Sequence, residues 1–135
     1  MNTDVLVVED DIANQQVAVL LLKKFGYKVK LAIDGEIAVE LAMEQKYSLI
    51  LMDCQMPRMD GYDASIAIRK NPGPNQTTPI IALTANLMEG IDSECLAAGM
   101  DDVLNKPVLA DNLKIMVEKW RGKLSQYHLN NARDW

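Results

Sequence analysis

The chain is punctuated by short apolar runs, each ending in polar residues. Val5-Leu6-Val7-Val8, Leu49-Ile50-Leu51-Met52 and Ile80-Ile81-Ala82-Leu83 are too short for helices that must bury themselves. Bounded by turn formers, they read as strands covered on both faces, as in the middle of a parallel sheet. Lys28-Val29-Lys30-Leu31-Ala32 alternates polar and apolar, which predicts an edge strand guarded by charge. Asp101 to Asn105 is the fifth strand. Between the strands the spacing turns helical. The first helix is predicted over Ile12 to Phe25, stopped by Gly26, and the second over Glu36 to Gln45, with Ile37, Ala38, Leu41 and Ala42 on one face. The third covers Tyr62 to Lys70. The fourth runs from about Leu87 to Ala98, with Gly90 weakening its first turns by about 1 kcal/mol relative to Ala and Gly99 ending it. The last spans Leu109 to Arg121, with Leu109, Leu113, Met116, Val117 and Trp120 as its apolar stripe. Strict strand-helix alternation implies an α/β fold, a parallel sheet with helices on both faces. Asn71 to Pro79, rich in breakers, is a loop within that alternation rather than a domain boundary.

The first helix departs from a simple amphipathic pattern. Val17 to Leu22 are six consecutive apolar residues, more than a full turn, so some apolar surface must point outward. Either a partner docks there or the C-terminal tail covers it.

Composition narrows the class. With 135 residues the chain suits one domain with a sizeable core, placed at residues 1–122, followed by a tail or short helical extension at 123–135. One Phe, two Trp and four Tyr leave aliphatic residues and Met to fill the interior. A net charge of -5 argues against a nucleic-acid partner, which would need a basic patch. No apolar run approaches the roughly 20 residues needed to span a bilayer, so no membrane insertion is expected. The start has no signal-peptide pattern and Cys54 and Cys95 lack metal-ligand spacing, so a cytoplasmic protein with reduced thiols is expected. The one histidine, His128, lies in the tail, which excludes His-based triads and a phospho-accepting His in the body.

In a parallel sheet every strand delivers its last residues to the carboxyl edge, where ligands bind in open α/β folds. The first strand delivers Glu9 and Asp10, with Asp11 capping the next helix. The third delivers Asp53, the fourth Thr84 and the fifth Lys106. Taken singly, each has an ordinary explanation: a solvated acidic run, a loop-opening Asp, a strand-end hydroxyl, a surface Lys. Together they form a site. Three crowded carboxylates repel one another. Mg²⁺, a hard cation that takes oxygen ligands and accepts phosphate oxygens, resolves the repulsion. Lys106 adds a fixed positive charge and Thr84 a hydroxyl donor. Asp53 in that setting can attack phosphorus and form an acyl phosphate.

The chain resembles the receiver domains of two-component response regulators over about residues 3 to 121. The resemblance rests on Val7-Val8-Glu9-Asp10-Asp11, on Leu51-Met52-Asp53-Cys54-Gln55-Met56-Pro57-Arg58-Met59-Asp60-Gly61, on Ala82-Leu83-Thr84-Ala85, and on Gly99-Met100-Asp101-Asp102 through Lys106-Pro107. The stretch Ala82 to Gly90, with Cys95 to Asp102, looks most like the receivers of hybrid sensor histidine kinases. The resemblance implies a flavodoxin-like (βα)5 doubly wound sheet in the order 2-1-3-4-5. It also implies that Asp53 accepts a phosphoryl group from a phosphohistidine on a sensor histidine kinase or a histidine-phosphotransfer protein. Glu9, Asp10, Asp53 and the backbone carbonyl of Gln55 would hold Mg²⁺, for which Mn²⁺ can substitute. Thr84 and Lys106 would contact the phosphoryl group, and a cis Lys106-Pro107 bond would aim the Lys into the rim. A weak homodimer is a further option. Val103 stands where many receivers carry an aromatic residue, so switching is expected to run through the backbone and the start of the fourth helix near Gly90.

Such a module is a phosphoacceptor that assists its own phosphorylation and dephosphorylation rather than an enzyme with an external substrate. Two alternatives differ in kind. One is an interaction scaffold of the same fold, with phosphorylation secondary. The other is an aspartyl-phosphate phosphatase, which usually carries a second acid two residues after the nucleophile, where this chain has Gln55.

Overall fold

The structure, a computed structural model, describes residues 4–85 and 91–120. Five parallel strands form one sheet in the order β2-β1-β3-β4-β5. They are β1 (Val5–Val8), β2 (Val29–Ala32), β3 (Leu49–Asp53), β4 (Ile80–Thr84) and β5 (Asp102–Asn105). The helices between them are α1 (Ile12–Lys24), α2 (Gly35–Glu44), α3 (Gly61–Lys70) and α4 (Ser93–Ala97), followed by α5 (residues 110–120).

The period-2 alternation of the strands sorts the core into two layers. Leu6, Val8, Ile50, Met52, Ile80 and Ala82 face one way and pack with Ala38 and Ala42 of α2, Ala64 and Ile68 of α3 and Cys95 of α4. Val5, Val7, Leu49, Leu51, Ile81 and Leu83 face the other way, onto Ala18 and Leu22 of α1 and Leu113 and Val117 of α5. All of these side chains are essentially inaccessible to water. A one-residue slip of any central strand would exchange the two sets, so burial on both faces fixes the register.

The helix ends follow local chemistry. Asp11, Asp34, Asp60 and Asp92 each cap a helix by accepting from the backbone N–H three residues on. Gly26 and Gly99 close α1 and α4 with φ of 95° and 90°, the left-handed geometry that favours glycine. Two sequence expectations need correction. The fourth helix does not extend back through Ile91 and Asp92. Asp92 caps a helix that begins at Ser93, while Leu87 to Gly90 lie outside the described residues. Leu109 is not part of the α5 stripe. Its carbonyl accepts from Leu113 N–H at 2.9 Å, which makes it the cap of a helix beginning at residue 110, and its side chain is 56% exposed. Leu113 and Val117 are buried as expected, and Met116 and Trp120 pack against them. Residues 121–135, including Arg121, His128 and the proposed tail, lie outside the described residues.

One clamp was not visible in the sequence. Arg69 of α3 donates from Nε to the Gly99 carbonyl at 2.9 Å, from Nη1 to the carbonyls of Asn75 at 3.1 Å and Gln76 at 2.9 Å, and from Nη2 to Asp101 Oδ2 at 2.9 Å. Asp101 Oδ2 also accepts from Ile80 N–H at 2.9 Å, so the fork ties α3, the loop before β4 and the turn before β5 together. A lysine has the charge but not the planar fork. Arg69→Lys is expected to lower stability by about 2 kcal/mol, measured by urea unfolding; a loss below about 0.5 kcal/mol would mean the fork holds nothing.

Candidate functional site

The order of the sheet reverses between β1 and β3, and ligand crevices in open α/β sheets form where that happens. Val8 lies opposite Met52 in the ladder, so Glu9 and Asp53 occupy equivalent steps at the carboxyl edge. Asp53 pairs with Leu83, Leu83 with Leu104 and Thr84 with Asn105, which sets Thr84 one step and Lys106 two steps further on. The backbone then locks these steps. Glu9 N–H donates to Ala32 O at 3.1 Å, Cys54 N–H to Leu83 O at 3.0 Å and Lys106 N–H to Thr84 O at 2.7 Å. Gln15 of α1 donates to the Glu9 carbonyl at 2.8 Å, a support for which the sequence offers no signal.

The side chains converge. Carboxylate oxygens of Glu9, Asp10 and Asp53 all lie within 4.8 Å of one another. Glu9 and Asp53 are buried, while Asp10 is open to solvent. The Lys106 ammonium lies 3.0 Å from Asp53 Oδ1 and 3.1 Å from both Glu9 oxygens. Gln55 N–H donates to the same Asp53 Oδ1 at 3.2 Å, which fixes the rotation of the carboxylate. The Lys106-Pro107 bond is cis, as the family resemblance implied.

The electrostatics suit a site built around positive charge. Burial, and then the adjacent Asp53, push the Glu9 carboxyl up to about 7, against the pull of Asn14 and Lys106. Burial lowers the Lys106 pKa, but Asp53 and Glu9 outweigh it, so Lys106 is held above its ordinary value and keeps its charge. One ammonium pairs with two of the three carboxylates, Glu9 and Asp53. The oxygen-only donor set and the surplus of negative charge fit a hard divalent cation.

Thr84 is half-buried at the end of β4 on the same rim, and Gln55 is exposed beside Asp53. Val103 is partly buried against the layer that contains Cys95. Cys54 points into that layer, and burial raises its thiol to about 12, which leaves no thiolate at neutral pH. Asp60 and Gly61 shape the loop, as expected. Asp60 caps α3 by accepting from Asp63 N–H at 2.9 Å, and Gly61 lies against the backbone of Asp53.

Comparison with known proteins agrees with this geometry. Residues 5–118 match the family model described as response regulator receiver domain. The chain is 40% identical over 118 residues to hybrid signal transduction histidine kinase G of Dictyostelium discoideum, spanning 86% of this chain but only 3% of that protein. It is also similar to the receiver domain of sensor histidine kinase PA1611 from Pseudomonas aeruginosa PAO1, solved with a magnesium ion coordinated in the active site cleft. That match has a TM-score of 0.81 and 43% identity, covering 90% of this chain and 99% of that one. A third similarity is to the complex of the Saccharomyces cerevisiae histidine phosphotransfer protein Ypd1 with the receiver domain of the response regulator Ssk1. There the TM-score is 0.77 and the identity 31%, with 88% of each chain covered. The chain belongs to the response regulator receiver domain family, and its fold is the flavodoxin-like receiver fold of two-component and phosphorelay signalling.

Proposed function

We propose that this domain accepts a phosphoryl group on Asp53 from a phosphohistidine of a partner protein, in a reaction that depends on Mg²⁺. The observation that carries this reading is the Lys106 ammonium, 3.0 Å from Asp53 Oδ1 and 3.1 Å from Glu9, beside a cluster of three carboxylates whose oxygens lie within 4.8 Å of one another. Glu9, Asp10, Asp53 and the Gln55 carbonyl would hold the cation, with Mn²⁺ as a substitute. When bound, it would neutralise the carboxylates and the oxygens of the incoming phosphoryl group.

The chain's own residues supply position and charge. Gln55 N–H and Lys106 hold the Asp53 carboxylate in one orientation. An Asp53 oxygen forms the new bond to phosphorus while the phosphorus–nitrogen bond of the phosphohistidine breaks, and the imidazole leaves with the electron pair and takes a proton. Lys106 would turn from Glu9 to the transferred oxygens, and the Thr84 hydroxyl would donate to one of them. Such preorganised charge accounts for most catalysis in phosphoryl transfer. The domain thus assists its own phosphorylation and dephosphorylation and turns over no other substrate.

The partner would be a sensor histidine kinase or a histidine-phosphotransfer protein. The apolar surface of α1 supports the second. Ile12 and Leu20 are 69% and 67% exposed, and with Gln15, Gln16, Val19 and Leu31 they line a groove beside the rim. An apolar patch of this kind suits a helical partner. Among the described residues no helix is long and apolar enough to cross a membrane, and the two buried thiols are free; both accord with a cytoplasmic setting.

Acetyl phosphate with MgCl₂ is expected to add one phosphoryl group to the wild-type chain, seen by intact mass. Asp53→Asn or excess EDTA is expected to remove it. No labelling of the wild type would favour the scaffold reading, and rapid turnover of phosphomonoesters a phosphatase.

A further inference from the structure

We infer that Gly61, eight residues beyond Asp53, is the positioning residue for the phosphoacceptor, because the absence of a side chain there seats α3 directly against the Asp53 backbone. This rests on the proposed role of Asp53 and identifies what holds that residue in place.

The sequence explains Gly61 as a loop residue, and a turn needing left-handed backbone would be the usual reason for it. That reason does not apply, since only Gly26 and Gly99 among the described glycines have positive φ. The requirement at Gly61 is space. A Cβ built there would overlap the carbonyl oxygen of Asp53, lie 2.9 Å from the Asp53 carbonyl carbon and 3.0 Å from Cys54 Cα. All three atoms are backbone, so no side chain can swing away to make room.

The contact is also tied. Gly61 N–H donates to the Cys54 carbonyl at 3.2 Å, closing the loop that begins at Asp53. Asp60 caps the first turn of α3 through Asp63 N–H at 2.9 Å. Gly61 is itself buried. The loop enclosed by this closure contains Gln55, whose N–H grips the Asp53 carboxylate. The first turn of α3 therefore acts as a stop. It sets where the Asp53 backbone leaves β3, and so where the carboxylate points relative to Glu9 and Lys106. Displacement of a reacting group by about 1 Å can cost on the order of a hundredfold in rate.

Gly35 provides an internal control. A Cβ there would meet the carbonyl oxygen of Met59 at 2.5 Å, also backbone and also in the loop after β3, but six residues from Asp53. Both glycines permit close packing; only Gly61 abuts the acceptor itself.

The test compares Gly61→Ala with Gly35→Ala. Thermal melts give stability, titration calorimetry gives Mg²⁺ affinity, and the carboxyl carbon resonance of Asp53 in metal-free protein reports its environment without metal or phosphate. Gly61→Ala is expected to move that resonance and to lower Mg²⁺ affinity and acetyl phosphate labelling at least tenfold. Gly35→Ala is expected to melt earlier yet leave the resonance in place and keep Mg²⁺ affinity and labelling within twofold. Labelling and affinity within twofold of wild type in Gly61→Ala would overturn the inference, as would an equal loss in Gly35→Ala at matched stability. If Gly61→Ala does not fold, Asp60→Ala decides, because it loosens the same turn without adding bulk. It is expected to lower Mg²⁺ affinity about threefold, with recovery in Asp60→Asn, which keeps the cap and lacks the charge. Unchanged affinity and resonance in Asp60→Ala would overturn the inference. A wild type that neither binds Mg²⁺ nor labels would instead overturn the reading of Asp53 as acceptor.

Discussion

In metal-free buffer the protein is expected to lose about 3 kcal/mol of stability between pH 5 and pH 8, the opposite of ordinary acid sensitivity. The cause is Glu9, whose carboxyl rises from the ordinary 4.5 to about 7 in the fold, chiefly through burial and then through Asp53. Between those two values the folded chain holds a proton that the unfolded chain has released. The unfolded state therefore binds fewer protons, and stability must fall as pH rises across that interval. The loss is complete about one unit above 7. Lys106 does not offset it, because its own pKa is raised above a value already far beyond this window. Urea unfolding followed by circular dichroism, with EDTA from pH 5 to 8, measures the slope. Glu9→Gln should flatten it, since no proton is left to exchange. Saturating Mg²⁺ should flatten it too, because the cation binds the deprotonated carboxylates and its contribution grows as the proton leaves. A wild-type curve that is level in EDTA would mean Glu9 is ionised throughout.

Asn75→Ala is expected to cost about 3 kcal/mol, although Asn75 lies in a loop far from the rim. The side chain is wholly buried. Its amide donates to the carbonyls of Ala42 at 2.6 Å and Gln45 at 2.7 Å, at the end of α2. Its oxygen accepts from Tyr47 N–H and from the Thr78 hydroxyl, both at 2.9 Å. The Tyr47 carbonyl, 3.2 Å from Thr78 Oγ1, shares that single hydroxyl hydrogen. Truncation would leave buried polar groups on α2, on the approach to β3 and in the loop without a partner, and each carries a desolvation cost. Asn75→Asp should be no better, because a carboxylate cannot donate to the two carbonyls. Chemical denaturation measures both variants. A cost below about 1 kcal/mol would mean that water replaces the amide.

The strands were legible because Val5–Val8, Leu49–Asp53 and Ile80–Thr84 are buried on both faces, and a run of apolar residues is the direct imprint of that environment. The rim was legible because the carboxyl ends of such strands are carried to one edge by topology alone. What escaped was decided by partners distant in sequence. Asn75 read only as part of a breaker-rich loop and Arg69 only as a position in the third helix; their acceptors stand up to thirty-three residues away. Asp102 read only as the second residue of a strand, yet it accepts from Lys119 Nζ at 2.7 Å and Trp120 Nε1 at 3.0 Å, fastening α5 to β5. Asp92 and Leu109 were placed within helices because their neighbours fit the period; cap geometry, which a periodic count does not see, puts both at the ends.

The partner that neutralises Glu9 stands ninety-seven residues downstream of it. A nascent chain therefore carries Glu9 for most of its synthesis without the ammonium that pairs with it in the fold. Until the fifth strand has been made and has joined the sheet, Asp53 lacks the ammonium beside it, and an unfinished or partly unfolded copy would be chemically silent. Competence of the site would in this way certify that all five strands have been assembled.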